Sequence, residues 1–425
     1  MTCCSCPLCR WARQARCSRS SCANSTAATG PRRPDAGRQQ NGRQAMKRRV
    51  LRIAALAFAA AGAASHAEPG LALYGVVDAG LNLIDNGSAR SASMKSGIIS
   101  GSQFGLRGTE HLGGSLRAVF QLEASFESNS GAYKPYFGDP SSATAQAPNG
   151  APGKGFNRRA FVGLEGRYGM LQLGRDYTPL YWAVLDSDPL KLGSYGNMQQ
   201  IVLLSGTGSD RFGRASNAVF YTSPRVAGLR GRLMASLGPA AARSASDGPP
   251  RSASRMIGAS VDYTQDGLTL NGAYQLLRLP EIAGSPAAYT GATGLRRDML
   301  VGLKYASGDY TVAGGYFRVR HPGRRGDGSD IWAGASLRLG AGVLAFNVQR
   351  MRQDVPGRSR PGEATVLGLS YIHALSRRFS LYASYGMVNN GANAAFSLLS
   401  SDTAVAPAAR GDDIRALGVG MRYVF

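Results

Sequence analysis

The feature that most constrains this chain is a side-chain period of two, repeated in short segments over some 350 residues. In Leu116–Glu127 one face reads Leu116, Ala118, Phe120, Leu122, Ala124 and Phe126, and the other reads Arg117, Val119, Gln121, Glu123, Ser125 and Glu127. Successive side chains of a strand point to opposite faces, so the segment is apolar on one side and polar on the other. Such segments fall at 71–84, 97–111, 114–129, 156–166, 169–179, 214–224, 228–238, 254–264, 267–278, 296–307, 309–320, 329–339, 342–353, 363–373, 378–389 and 413–425. Each is near the ~9–11 residues that a tilted strand needs to cross a bilayer. A soluble sandwich alternates too, but does not usually sustain about sixteen such segments. The 56 glycines are scattered without a collagen period, and only 18% of residues are charged, which suits a large all-β chain.

The connectors alternate in length. Leu112-Gly113, Gln265-Asp266-Gly267 and Gly340-Ala341 are short, whereas 130–155, 180–213, 239–253, 279–295, 321–328, 354–362 and 390–412 are long. Short turns on one side and long loops on the other are expected of a transmembrane antiparallel β-barrel. Backbone polar groups in lipid must bond internally, so the sheet has to close. The last segment ends on an aromatic, Phe425, and is expected to close the barrel against the first strand.

The front of the chain reads differently. Met46-Lys47-Arg48-Arg49, an apolar run Ile53–Ala61 and the small-x-small Ser65-His66-Ala67 form a secretory signal over 46–67, cut after Ala67. The barrel domain is then 68–425. Residues 1–45 have no period and hold all six cysteines within the first 22 positions. We expect translation to begin at Met46, with 1–45 a disordered extension outside the fold. The cysteines lack the paired spacing of a zinc site, and no metal or cofactor is expected. The mature chain has no cysteine, as suits passage through an oxidising compartment. Twelve of the 49 bases and one of the 26 acids precede residue 68, which leaves 37 bases against 25 acids, too mild an excess for a nucleic-acid binder. From residue 68 on, three histidines, no cysteine and no G-x-S-x-G elbow argue against an enzyme.

Several motifs in order resemble the general porins of Gram-negative bacteria, especially those of β-proteobacteria. They are Leu73-Tyr74-Gly75-Val76-Val77-Asp78-Ala79-Gly80, Ser102-Gln103-Phe104-Gly105-Leu106-Arg107-Gly108, Phe120-Gln121-Leu122-Glu123, Phe156-Asn157-Arg158-Arg159-Ala160-Phe161, Leu173-Gly174-Arg175-Asp176-Tyr177-Thr178-Pro179, Tyr221-Thr222-Ser223-Pro224 and Arg422-x-x-Phe425. The resemblance implies a sixteen-stranded barrel in the outer membrane, usually a homotrimer among lipid and lipopolysaccharide, passing small hydrophilic solutes and ions by diffusion. It also implies that the third long loop, about 180–213, folds inward. That loop carries acids, for which Asp186 and Asp188 are candidates, and faces wall arginines, which Arg158 and Arg214 resemble. Glu123 matches a lumen acid. Gln103 stands where many relatives carry an arginine. Arg175 completes the candidate constriction. A net basic barrel leans toward weak anion preference. A barrel-anchored adhesin and a substrate-specific channel are the alternatives. Parity sets Arg158 on the face of Ala160, Val162 and Leu164, which read as lipid-facing, so an inward Arg158 requires a bulge or a bend.

Overall fold

The computed structural model describes residues 70–132, 155–205, 212–237, 255–279, 294–322 and 326–425. The expected signal peptide at 46–67, the stretch 1–45 and much of the connectors 130–155, 239–253 and 279–295 lie outside the described residues.

Alternating side chains build a single antiparallel sheet. Its strands are β1 (Gly70–Asp85), β2 (Arg90–Ser96), β3 (Gln103–Gly113), β4 (Leu116–Ser125), β5 (Arg159–Gly166), β6 (Gly169–Tyr177), β7 (Arg214–Thr222) and β8 (Leu229–Ser236). They continue with β9 (Met256–Gln265), β10 (Leu268–Leu279), β11 (Gly294–Ser307), β12 (Tyr310–Arg320), β13 (Gly328–Leu339), β14 (Gly342–Gln353), β15 (Gly362–Ala374), β16 (Phe379–Asn390) and, after a small hairpin of β17 (Leu398–Leu399) and β18 (Ala404–Val405), β19 (Ile414–Val424). Strands β2 and β3 both pair with β1, β2 along its second half and β3 along its first. They are two pieces of one stave, interrupted at 97–102, so the barrel has sixteen staves.

Closure comes from β19 pairing with β1, from Val76↔Val424 to Asp85↔Arg415. The terminal Phe425 continues this ladder: its N–H donates to Gly75 O and its carbonyl accepts from Gly75 N, both at 3.1 Å. The outer face is apolar and exposed, with Leu71, Leu73, Leu83, Val301 and Ile331 all more than half accessible. Exposed apolar surface on this scale calls for lipid and not water. Among the described residues no helix is long and apolar enough to cross a membrane.

The third long loop enters the lumen. It starts as a helix, α1 (Pro179–Ser187), whose N-cap Thr178 accepts from Tyr181 N–H at 3.1 Å, with Pro179 opening the helix. Helix α1 packs on β9, β10 and β11, and Trp332 Nε1 of β13 donates to Ser187 O at 2.9 Å. The loop then reaches another part of the wall. Tyr195 N–H donates to Ser384 Oγ of β16 at 2.8 Å, and Gly196 O accepts from Gln349 Nε2 of β14 at 2.6 Å. Two wall glycines make the slot: a Cβ on Gly368 would lie 2.4 Å from Tyr195 O, and one on Gly386 would lie 2.4 Å from Tyr195 Cβ. A 3₁₀ turn (Met198–Gln200) and a short helix α2 (Ile201–Ser205) bring the chain back along β12 and β13.

The last long loop joins it. Gly196 N–H donates to Leu399 O at 3.0 Å and Leu399 N–H to Gln200 Oε1 at 2.6 Å. Ile98, Tyr195, Met198, Leu398 and Ile414 are buried together with inward wall side chains such as Phe317 and Trp332. Part of the lumen is therefore packed, and the open part lies against the wall of β3–β7.

Candidate functional site

Among the described residues a cavity of about 480 Å³ lies in this open part. Wall residues Gln103, Arg158, Tyr177 and Arg214 border it on one side. Lys191, Leu192 and Gln199 of the third loop border it on another, and Ser401 and Asp402 of the last loop on a third. Charged and aromatic side chains from four separate chain segments thus share one cavity.

Arg158 reaches this space by a bend. Strand β5 begins only at Arg159, so Arg158 lies outside the strict alternation that puts Val162 and Leu164 on the exposed outer face. Its Nε donates to Glu123 Oε1 at 2.6 Å, and its Nη2 donates to the Tyr177 hydroxyl at 2.9 Å. Glu123, nearly inaccessible on β4, also accepts from the Tyr74 hydroxyl at 3.0 Å. Arg214 donates to the same Tyr177 hydroxyl at 3.1 Å and lies over its ring, 4.7 Å from the centroid. Tyr177 in turn stacks on Tyr181 of α1 at 4.0 Å. Two guanidinium groups therefore converge on one phenol that is braced by the loop.

Gln103 lies on the same cavity with its Oε1 buried and without a hydrogen-bond partner. Arg175 does not reach the cavity. Its Nε and Nη2 donate to Asn157 O at 2.9 and 2.8 Å, and its Nη1 to Ser216 Oγ at 2.7 Å. Asn157 Oδ1 accepts from Ser125 N–H at 2.9 Å. Arg175 thus braces the bend that carries Arg158. Asp188 is fully buried, and its carboxylate accepts the N–H groups of Leu190, Leu192 and Met198 at 2.9, 2.7 and 3.1 Å. It closes the turn in which Lys191 and Leu192 both take positive φ, 55° and 54°. Burial pushes its carboxyl above the usual carboxylate range, opposed by those N–H groups. Asp186 on α1 does not line the cavity; it lies within electrostatic reach of Lys191 and Arg232.

The structure thus brings Gln103, Glu123, Arg158 and Arg214 together and gives Arg175 and Asp188 bracing roles. It adds residues that alternation did not single out. Lys191 is one, its ammonium held below the ordinary lysine range by burial and then by Lys304. Asp402 is another. A Cβ on Gly101 would lie 2.3 Å from Asp402 Oδ2 and 3.0 Å from Arg158 Nη1, so acid and base flank one point. Arg159 and Asp176 form a bidentate pair beside them, with both bonds at 2.7 Å.

A closed barrel with an apolar exterior and a charged, loop-narrowed lumen is a channel architecture, and comparison with known proteins agrees. The family model described as Gram-negative porin matches residues 53–393. The chain belongs to the Gram-negative porin family. Outer membrane porin protein 32 of Delftia acidovorans is 28% identical over 375 residues, covering 86% of this chain and 97% of that protein. An anion-selective porin from Comamonas acidovorans superposes with a TM-score of 0.69 at 24% identity, covering 84% of this chain and all of the other. A trimer form of OmpT from Vibrio cholerae gives a TM-score of 0.58 at 14% identity, over 84% of this chain and 99% of that one. This porin is an outer-membrane, multi-pass β-barrel that forms a channel for passive diffusion of small hydrophilic solutes, and the adhesin alternative is not favoured. Membership of the family implies a channel rather than an enzyme.

Proposed function

We propose that the passage bordered by Arg158 and Arg214 of the wall, Lys191 of the third loop and Asp402 of the last loop is the selectivity filter of this porin, and that the filter weakly prefers anions. The observation that carries this is the convergence of Arg158 and Arg214 on the Tyr177 hydroxyl, at 2.9 and 3.1 Å, at the edge of the open cavity. Among the described residues three cations border that cavity against one acid, Asp402, with Glu123 paired behind Arg158. Fixed guanidinium groups lower the barrier for anions and stay charged at any physiological pH. Glu123 and Asp402 offset part of that field, and Gln103 contributes none, so the preference is weak. Small hydrophilic solutes and ions pass with their water, steered by the field between bases and acids. Asp186 tunes this field from α1, while Arg175 and Asp188 hold its geometry.

A homotrimer embedded in lipid and lipopolysaccharide is the assembly we infer, supported by the trimer form of the Vibrio cholerae relative. The signal at 46–67 and a start at Met46 belong to the same reading of how the barrel reaches the membrane. Reversal potentials of the refolded channel under a salt gradient test the filter. An anion-side potential that collapses in Arg158→Ser supports it, and a cation-side potential in the unmodified protein overturns the anion preference.

A further inference from the structure

The first strand carries a buried acid that the filter does not use. Asp78 belongs to the opening motif Leu73–Gly80, points into the barrel and is fully buried, yet it does not line the cavity. Beside it the second stave breaks. Ala79 pairs with Ser96 at the end of β2, and Val76 pairs with Gln103 at the start of β3. An unbroken ladder would set two residues opposite Val77 and Asp78, and the chain supplies six, 97–102. The surplus leaves the wall as a large bulge that begins at Gly97 with φ 73°. It runs inward: Ile98 is buried in the lumen packing, and Ile99, Ser100 and Gly101 border the cavity.

One carboxylate holds this bulge. Asp78 Oδ1 accepts from Ile98 N–H at 3.1 Å and from the Tyr382 hydroxyl of β16 at 2.7 Å. Its Oδ2 accepts from Ile99 N–H at 3.3 Å and Ser100 N–H at 3.0 Å. Three successive N–H groups aimed at one anion make a nest, and their bonds are charge-assisted. The Asp78 main chain takes the two ends. Its carbonyl accepts from Gly97 N–H and from the Ser102 hydroxyl, both at 3.1 Å, and its N–H donates to Ser102 Oγ at 3.0 Å.

The bulge in turn holds the acid of the filter. Gly97 O accepts from Asp402 N–H at 3.0 Å, and Ile98 O accepts from Ser401 N–H at 3.3 Å. Gly101 N–H donates to Ser401 Oγ at 3.0 Å. These bonds fix the last loop where Asp402 reaches the cavity, and Gly101 is the point flanked by Asp402 Oδ2 and Arg158 Nη1. Two tiers of hydrogen bonds thus connect Asp78 to the charge that offsets Arg158, and Asp78 itself stays out of the ion path.

We propose that Asp78 is a positioning residue for selectivity: its carboxylate sets the 97–102 bulge, and the bulge sets Asp402 against Arg158. This rests on the filter reading and deepens it, because a residue behind the wall then governs how far the filter's acid lies from its bases.

The test is the reversal potential of the refolded mature protein in a planar bilayer under a KCl gradient, for Asp402→Asn, Asp78→Asn and the double variant. Asn at position 78 keeps the shape but turns one acceptor into a donor facing N–H groups, so the bulge loses its hold. Asp402→Asn removes a unit charge beside the path and should raise the anion-to-cation permeability ratio by roughly 25-fold. Asp78→Asn should raise it several-fold in the same direction and add nothing in the Asp402→Asn background. Ser401→Ala cuts the tie to Gly101 and leaves the buried carboxylate intact; it should give a smaller rise that the same background abolishes. Should Asp78→Asn fail to fold, Ser401→Ala carries the test. Equal shifts by Asp78→Asn in both backgrounds would mark a merely structural role and overturn the proposal. So would no shift by Asp78→Asn or, where that variant does not fold, by Ser401→Ala, while Asp402→Asn still moves the potential. An unmoved potential in Asp402→Asn itself would overturn the filter reading first, and this proposal with it.

Discussion

Arg158→Ser is the sharpest perturbation of the filter. The parent side chain is about one-seventh exposed and spends one N–H on Glu123 at 2.6 Å and another on Tyr177. Serine removes one positive charge from the passage and uncovers the Glu123 carboxylate, leaving Arg214 and Lys191 against Glu123 and Asp402. A unit charge ~4 Å from an ion's path changes its energy by ~1 kcal/mol in a water-like medium. That is ~5-fold in the barrier, since ~1.4 kcal/mol is tenfold. The change has opposite sign for anions and cations, so the anion-to-cation permeability ratio should fall by roughly 25-fold. At 0.1 M salt the Debye length of ~10 Å exceeds this distance, so screening leaves most of the effect, whereas 1 M salt should remove much of it. Planar-bilayer reversal potentials under a tenfold KCl gradient read the ratio directly. Glu123→Gln should move the potential the opposite way, which separates a field effect from damage to the wall. A reversal potential that stays at the parent value in Arg158→Ser at 0.1 M would refute the placement of this charge in the ion path.

Other substitutions test the remaining parts. Gln103→Arg adds a cation to the same cavity and should raise anion preference several-fold in the reversal-potential assay. Asp188→Ala removes the acceptor of three loop N–H groups, each buried donor costing ~1–3 kcal/mol when orphaned, so the loop should loosen and single-channel conductance should rise and grow noisy. Because burial and Lys304 hold Lys191 below the ordinary lysine range, raising pH should discharge it before other lysines, and anion preference should decline below the usual lysine pKa of ~10.4 in the parent but not in Lys191→Met. Gly386→Val places a side chain where Tyr195 Cβ would be 2.4 Å away, so the loop should be forced off the wall and conductance should increase.

Much of the fold could be read from the chain because the barrel imposes one rule on every stave: outward side chains meet lipid and inward ones meet water or the loop. Fifteen of the sixteen expected segments recur as strands within a few residues, and Phe425 pairs with Gly75 as closure requires. The split of the second stave was not legible. The expected segment 97–111 merges the interruption at 97–102 with β3 and misses β2, because what pulls 97–102 out of the strand is tertiary: the buried Asp78 carboxylate accepts the N–H groups of Ile98, Ile99 and Ser100, and the last loop docks on Gly97 and Ile98. The lumen was legible only where it lies on strands. Glu123 follows from parity, Gln103 came from the family resemblance, and Arg158 escapes parity because β5 starts one residue later. Lys191 and Asp402 depend on how two long loops fold against the wall and each other, across 189 or more residues of chain. Arg175 and Asp188 brace a bend and a turn through side-chain bonds to nearby backbone, which no side-chain period marks.

The central claim is that the barrel encloses a water-filled path narrowed by its third loop. Single-channel conductance of the refolded mature protein in a planar bilayer tests it most directly. Discrete, roughly ohmic steps are expected, rising with bulk salt and larger when the loop is loosened by Asp188→Ala. A protein that inserts as folded β-sheet yet passes no current would contradict the account.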